Sequence, residues 1–194
     1  MGPVRSFYLG WYDLDGALTL QHVASYTWRV IHPETRIGHI HLRVSNLERS
    51  IAFYRDVLGF ELKVTDGAQA AFLSAGGYHH HIGLNTWGSK DGSPPPRGST
   101  GLYHFAILLP SRRELARMYK RLVDNSIEIG VAQDHGVSEA IYFRDPDGNG
   151  IEIYRDRDRS EWPRTPDGRM TMTNGPLDLD ALLAELVHEP PPGR

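Results

Sequence analysis

Two stretches of the chain share one order of strand-like and helix-like patterns. In each, a short run with strand character precedes a segment whose apolar residues recur at helical spacing. The strand-like runs are 38–44 and 102–109, and the helical apolar positions are Leu47, Ile51, Tyr54 and Leu58, then Leu115, Met118, Tyr119 and Leu122. A Ser-x-x-Glu tetrad begins both predicted helices, so we expect Ser45 and Ser111 to cap them.

Three further strands are predicted after each helix. They cover 60–65, 70–74 and 79–86 in the first stretch, and 127–132, 140–144 and 150–154 in the second. Turn-forming residues separate the last two strands of each set. Each stretch therefore reads β-α-β-β-β. With only two copies, we predict an α+β fold in which the repeats form one cupped, half-open barrel rather than an array.

The repeats divide the chain into three parts. Residues 1–36 form an N-terminal extension, which we expect to be an added strand, an arm across a partner subunit or a lead-in. The central module comprises repeat one at 37–88, a linker rich in Gly, Pro and Ser at 89–100, and repeat two at 101–156. The tail, 157–194, contains a short amphipathic helix predicted over 177–187.

Composition excludes several classes of function. The chain has 194 residues, enough for one substantial core, and its net charge of -3 gives no electrostatic footprint for nucleic acid. No apolar run is long enough to span a membrane, and no basic segment followed by an apolar one begins the chain. The absence of cysteine excludes disulfides and thiolate ligands. We therefore expect a cytoplasmic protein.

Three side chains able to bind a metal occupy related places in the repeats. His39 and His104 lie in the first strand of each repeat, and Glu152 lies in the last strand of repeat two. Two imidazoles and one carboxylate, with other coordination positions open, are typical of non-haem Fe(II) sites. A histidine in a strand is more often an ordinary polar side chain, and Glu152 could face solvent between its isoleucine neighbours. The repeat is what favours ligation.

A run of three histidines precedes the last strand of repeat one. Alternation along a strand would turn His80 away from His79 and His81, which argues against a metal site made of all three. Superposing the turns of the two repeats places His81 opposite Glu152. We therefore expect His81 to lie near the candidate ligands.

The motifs resemble a known superfamily. The segments GHIHLRVSNLERSIAFYRDVLGFEL, HHHIGLNTW, GLYHFAILL and DPDGNGIEIY are similar to those of vicinal oxygen chelate proteins. That superfamily includes glyoxalase I, fosfomycin-modifying enzymes, antibiotic-binding proteins and extradiol dioxygenases. The likeness covers about residues 36–188 and is nearest to catechol 2,3-dioxygenase-like proteins. Typical extradiol enzymes carry two such modules, whereas this chain has one.

The resemblance implies roles for six residues. Those implied to bind the metal, Fe(II) or alternatively Mn(II), are His39, His104 and Glu152; those implied to act on the substrate are His81, His135 and Tyr142. His81 would act as acid and base, because the pKa of an imidazole lies near working pH. The hydroxyl of Tyr142 would contact the substrate, and His135 would be a further active-site histidine.

The function expected from this resemblance is extradiol cleavage of a catechol-like aromatic ring with O2. Two alternatives stay open. One is another metal-dependent enzyme of the superfamily, either a glyoxalase-like lyase or isomerase, or a fosfomycin-type thiol transferase. The other is a small-molecule binding protein with a vestigial site. A homodimer or higher homo-oligomer is expected in each case.

Overall fold

The computed structural model describes the backbone of 7–12 and 18–23 and all of residues 31–187. The chain divides into two units, Met1–Ile37 and Gly38–Arg194. In the first unit, β1 (Phe7–Tyr12) and β2 (Leu18–Val23) form an antiparallel hairpin. The N-terminal extension therefore contains strands, one of the three forms expected for it.

Repeat one forms a four-stranded sheet with one helical segment. Its elements are β3 (Ile40–Arg43), α1 (Leu47–Ala52) continued by a π-helical turn (Phe53–Val57), β4 (Glu61–Asp66), β5 (Ala70–Ser74) and β6 (Ile82–Asn85). The strand order is β3-β6-β5-β4, in which β3 and β6 are parallel and the other neighbours antiparallel.

Repeat two has the same topology, and the tail adds one strand. Its elements are β7 (Phe105–Leu108), α2 (Arg112–Asp124), β8 (Ile129–Asp134), β9 (Ser138–Arg144) and β10 (Gly150–Asp156). The tail contains a 3-10 turn (Arg159–Glu161), β11 (Gly175–Pro176) and α3 (Leu179–Ala184). The order β11-β8-β9-β10-β7 repeats that of the first sheet with β11 at its edge. The predicted α+β fold and the repeat are confirmed: within residues 38–187 the two repeats form two sheets, and these do not close into a barrel.

One of the two predicted helix caps is wrong. Ser111 caps α2 as expected, since its side chain accepts a hydrogen bond from the backbone N–H of Glu114. The cap of α1 is Asn46, whereas Ser45 donates its hydroxyl to Asp147 at 2.6 Å. Ser45 is therefore engaged by the turn between β9 and β10, a partner about one hundred residues away that no local pattern indicates.

That turn attaches repeat two to α1 of repeat one and to the π-helical turn that continues it. Asp145 is buried and accepts hydrogen bonds from the backbone N–H groups of Asp147 and Asn149 and from the Asn149 side chain. Its fourth donor is the hydroxyl of Tyr54, at 2.9 Å. Tyr54 is fully buried, and this burial together with the Asp145 carboxylate raises the pKa of its phenol far above the usual range.

Asp147 adds an ion pair to the same junction. Its carboxylate lies 2.6 Å from the guanidinium of Arg49 and accepts from the backbone N–H of Ser45. Burial of Asp147 opposes ionisation, but the hydrogen bonds from Ser45 and Arg49 outweigh that effect and lower the pKa of the carboxyl. The junction therefore holds two carboxylates, each supplied with several donors.

The apolar faces of both sheets and all three helices share one core. Among its fully buried members are Val44, Leu73, Leu84, Leu115, Leu122, Ile141, Ile151, Ile153 and Leu182. Leu182 comes from α3, so the tail helix predicted from the sequence is confirmed and packs against the module. Within the described residues, no helix is long and apolar enough to cross a membrane.

Candidate metal and acid–base site

Strand alternation directs Glu152 away from the core. Ile151 and Ile153 are fully buried on the core side of β10, so the side chain between them points to the other face of the sheet. The register pairs Glu152 with Ala106 of β7 and with Tyr142 of β9. Because paired residues share a face, Glu152 and Tyr142 lie side by side on the face of the sheet opposite Ile151 and Ile153.

His104 reaches Glu152 from the residue just before β7. Nε2 of His104 lies 3.0 Å from Oε2 of Glu152. This approach requires a glycine at the start of β10, because a Cβ on Gly150 would lie 2.2 Å from the carbonyl oxygen of Tyr103. Two of the three predicted metal ligands are thus neighbours, with side chains that are largely buried.

Tyr142 and His135 extend this pair into a chain of hydrogen bonds. The hydroxyl of Tyr142 donates to Oε1 of Glu152 at 3.0 Å, and Nε2 of His135 lies 2.9 Å from the same hydroxyl. Burial and the Glu152 carboxylate raise the pKa of Tyr142 above its ordinary value, since both penalise the phenolate. Four residues predicted from the sequence therefore form one connected group, with His104 at one end and His135 at the other.

His135, at the end of the hydrogen-bonded group, contacts a residue that the sequence analysis missed. Nδ1 of His135 lies 2.8 Å from Oδ1 of Asn174 and 3.2 Å from the main-chain carbonyl oxygen of Thr173. Asn174 lies 39 residues beyond His135, beside β11 in the tail. It became part of the site because β11 pairs with β8, and no motif in the sequence predicts that pairing.

His39 lies apart from the hydrogen-bonded group formed by His104, Glu152, Tyr142 and His135. It immediately precedes β3, where it is exposed, and its ring centroid lies 4.5 Å from that of His80. Among residues 31–187, no three His, Asp or Glu side chains converge in a way that could hold a metal ion. The assignment of His39 as the third ligand therefore stays a prediction.

The expected correspondence between His81 and Glu152 is wrong. The turn before β6 covers 75–81, whereas the turn before β10 covers only 145–149, so β6 begins later in its repeat. The parallel registers pair His41 with Gly83 and Ala106 with Glu152. Since His41 and Ala106 each stand two residues after the predicted ligand histidines, the place of Glu152 in repeat one is taken by Gly83.

His81 is instead held by the end of β5. Its Nδ1 lies 3.0 Å from the hydroxyl oxygen of Ser74 and accepts a hydrogen bond from the backbone N–H of Ala75 at 3.3 Å. A neutral His81 bonded in this way carries its proton on Nε2. Among residues 31–187, no hydrogen bond or ring contact joins His81 to His104 or Tyr142.

The two preceding histidines do not alternate as a strand would require. They lie in the turn before β6, and Nδ1 of His79 is 2.7 Å from Nδ1 of His80. The expectation that His80 faces away from both neighbours is therefore wrong with respect to His79. Partial burial and the surrounding imidazoles, including that of His39, lower the pKa of His80.

A cavity of about 300 Å³ lies beside the hydrogen-bonded chain. Its lining includes His104, Tyr142, Tyr103, Val131, Gln133 and Arg144. Another cavity, of about 390 Å³, lies against the tail and is lined by Asp134, Gly136, Arg157, Glu161, Pro163, Thr173, Gly175 and Pro176. It contains none of the candidate side chains, so the smaller cavity is the one that the chemistry of the site can use.

The fold consists of paired βαβββ sheets, one of which carries the His104–Glu152 pair. Comparison with known proteins gives the family of this fold. Residues 36–153 match the family model of the Glyoxalase/Bleomycin resistance protein/Dioxygenase superfamily. The chain belongs to this superfamily, and the resemblance inferred from its motifs is confirmed.

Relatives within the superfamily carry different names. The chain is 48% identical over 160 residues to a catechol-2,3-dioxygenase of Bacillus subtilis, a match that covers 82% of this chain and only 55% of that protein. It is 33% identical to the metallothiol transferase FosB of Staphylococcus epidermidis, over 66% of this chain and 88% of that one. The structure of a glyoxalase/dioxygenase from Nostoc punctiforme superposes with a TM-score of 0.54 at 25% identity, covering 66% of this chain and 97% of that one.

Proposed function

We propose that this protein is an extradiol ring-cleaving dioxygenase that uses O2 and Fe(II), or alternatively Mn(II), on a catechol-like aromatic substrate. The observation that carries the proposal is the connected group His104–Glu152–Tyr142–His135 beside a cavity. The identity to a protein named catechol-2,3-dioxygenase supports the choice of reaction. Because this chain spans only 55% of that relative's length, we propose the relative's activity for this chain and do not assign it.

The donor set fits the proposed metal at two positions. His104 and Glu152 present an imidazole nitrogen and a carboxylate oxygen side by side, a combination that suits Fe(II) and Mn(II). His39 is proposed as the third ligand. When bound, the metal would supply open coordination positions for both catechol oxygens and O2, and a path for electron density from the ring to O2.

Within the described residues, His39 does not converge with His104 and Glu152, so it must come closer to this pair for all three to bind one metal ion. His39 could approach the pair by movement of the first sheet within one chain, or a second copy of the chain could supply it. We propose the second route, in a homodimer or higher oligomer. The support is that β3 and β7, the two edge strands preceded by a candidate ligand, each pair with one neighbour among the strands that the structure describes.

The other residues would position and move protons. Tyr142 keeps its proton in this environment and, by donating to Oε1 of Glu152, holds the carboxylate so that Oε2 faces His104. Nε2 of a neutral His81 carries a proton when Nδ1 accepts from Ala75, and a lone pair when Nδ1 donates to the hydroxyl oxygen of Ser74. We propose that the second tautomer takes a proton from the catechol hydroxyl at Nε2, and that the resulting imidazolium returns this proton later in the reaction.

Oxygen uptake tests the proposal directly. The Fe(II)-reconstituted chain is assayed across a panel of catechols, with Glu152→Gln as a variant of the same shape. We expect uptake coupled to a coloured ring-cleavage product in the parent chain and none in the variant. His81→Gln should lower turnover strongly while metal content stays unchanged. Stoichiometric metal without oxygen uptake would refute the dioxygenase assignment.

Mixed oligomers test how the third ligand is supplied. His39→Ala and Glu152→Gln chains carrying different tags are co-expressed and the hybrid is isolated. If two copies share each site, one site of the hybrid is intact and activity returns, although each parent variant is inactive. If one chain supplies all three ligands, the hybrid is as inactive as its parents. His41→Ala, used in place of His39→Ala, serves as a control. It removes a histidine from the same strand face that is not a proposed ligand and whose ring packs over Gly83.

Thiol transfer is the second candidate function. Its support is that the chain covers 88% of the Staphylococcus epidermidis metallothiol transferase, a closer match in length than to the dioxygenase relative. This function predicts Mn(II)-dependent addition of a thiol to an epoxide substrate, without oxygen uptake. Stoichiometric binding of an aromatic ligand with no turnover under either assay would instead indicate a small-molecule binding protein.

A further inference from the structure

The ring of His135 is held between the candidate site and the tail. Nε2 faces the hydroxyl of Tyr142, and Nδ1 faces two oxygen atoms, Oδ1 of Asn174 and the carbonyl oxygen of Thr173. His135 is buried, so these contacts replace water as partners of the ring. The tail, rather than the repeats, therefore determines what Nδ1 meets.

The partners of Nδ1 select one tautomer of His135. A main-chain carbonyl only accepts hydrogen bonds, so the oxygen of Thr173 requires a proton on Nδ1. With Oδ1 toward the ring, Asn174 provides a second acceptor at a shorter distance. A neutral His135 that carries its proton on Nδ1 presents a lone pair at Nε2. The hydroxyl of Tyr142 then has two acceptors, Nε2 of His135 and Oε1 of Glu152, between which it can turn.

The tail is attached firmly enough to hold this arrangement. The backbone N–H of Thr173 donates to the carbonyl oxygen of His135 at 2.9 Å, and Gly175 pairs with Asp134 across β11 and β8. Farther along, Glu185, the C-cap residue of α3, forms an ion pair of 2.6 Å with Arg112 of α2. Asn174 is exposed, but the backbone on both sides of it is held by repeat two.

We propose that Asn174, together with the main-chain carbonyl of Thr173, is a positioning residue that keeps the proton of His135 on Nδ1 and so leaves Nε2 as an acceptor that competes with Oε1 of Glu152 for the single hydroxyl proton of Tyr142. Its consequence for turnover rests on the proposed dioxygenase function; the tautomer itself does not. Three variants separate the effects. Asn174→Asp keeps an acceptor, Asn174→Leu removes it at similar size, and Thr173→Val keeps the carbonyl while removing the hydroxyl.

Nitrogen NMR of the full, metal-free chain reads the tautomer directly. With ¹⁵N-labelled histidine, two-bond proton–nitrogen correlations distinguish Nδ1–H from Nε2–H, and His135→Gln identifies the signals of His135. We expect the Nδ1–H form in the parent chain, in Asn174→Asp and in Thr173→Val, and a larger Nε2–H fraction in Asn174→Leu. Unchanged signals from the other histidines report an intact fold. A parent His135 in the Nε2–H form, or one indifferent to Asn174→Leu, would overturn the proposal.

Turnover provides the second readout. If the dioxygenase proposal holds, Asn174→Leu should lower kcat by about two- to tenfold with little change in KM, as expected for one neutral hydrogen bond, and Asn174→Asp should restore it. A tautomer change with unaltered kcat would refute the catalytic consequence. A tautomer change in a chain that cleaves no catechol would support the positioning role and reject the proposed reaction.

Discussion

Replacing Tyr54 by Phe should weaken the junction between the repeats without changing its shape. The phenol hydroxyl is the only part of the side chain removed. It donates to Oδ2 of the buried Asp145 at 2.9 Å, and the ring itself is fully buried. The substitution therefore deletes one hydrogen bond to a carboxylate and leaves the apolar packing in place.

The magnitude follows from what Asp145 retains. A hydrogen bond to a charged group contributes about 1.5–3 kcal/mol. After the substitution Asp145 still accepts from the Asn149 side chain and from two backbone N–H groups, so its carboxylate is not stranded. We therefore expect Tyr54→Phe to lower the free energy of unfolding at pH 7 by about 1.5–2 kcal/mol, the lower part of that range.

The effect should also depend on pH, with a sign set by the raised pKa of Tyr54. Above pH ~10 the unfolded chain releases the phenol proton while the folded chain keeps it. The stabilisation is thus complete below pH ~10 and is lost as the pH rises toward the folded value. By pH ~11 the advantage of the parent chain over Tyr54→Phe should have fallen by about 1.4 kcal/mol.

Urea unfolding at pH 7, 10 and 11, followed by circular dichroism, measures this difference. Tyr119→Phe is the matched control, because Tyr119 stands at the same place in repeat two and, within residues 31–187, its hydroxyl has no hydrogen bond. That variant should unfold like the parent at pH 7. Equal stability of Tyr54→Phe and the parent, or a difference that does not shrink between pH 10 and 11, would refute the reasoning.

Three further substitutions test other parts of the fold. Glu139→Gln should cost about 3 kcal/mol in urea unfolding, because Glu139 is buried beneath three arginines, whereas Glu114→Gln on the surface should cost under about 0.5 kcal/mol. Gly136→Ala should lower the melting temperature more than Gly168→Ala. Both glycines have positive φ, but the added methyl at Gly136 would lie 2.6 Å from a proline carbon, and equal losses would contradict this. Asp147→Asn should cost about 1 kcal/mol at pH 7. Because the pKa of Asp147 is lowered on folding, that difference should be present above pH ~4 and vanish as the pH falls through the folded value; a difference persisting at pH 2 would contradict it.

Local periodicity was enough to determine the order of elements and the orientation of some site residues. The β-α-β-β-β pattern, the cap of α2 and the tail helix are short-range properties, set by side chains within one or two turns of each other. Glu152 faces the open side of its sheet because its neighbours are isoleucines, and that alternation is visible in the sequence. The pairing of Glu152 with His104 then followed from the repeat.

Tertiary structure decided what depends on loop length and on distant partners. The longer turn before β6 places His81 away from the position corresponding to Glu152. Ser45, which was predicted to cap α1, donates its hydroxyl to Asp147 instead. Asn174 reached His135 only because β11 pairs with β8. These contacts join residues far apart in the chain, and their formation depends on how whole sheets and helices pack. A local pattern of polar and apolar residues carries no information about that packing.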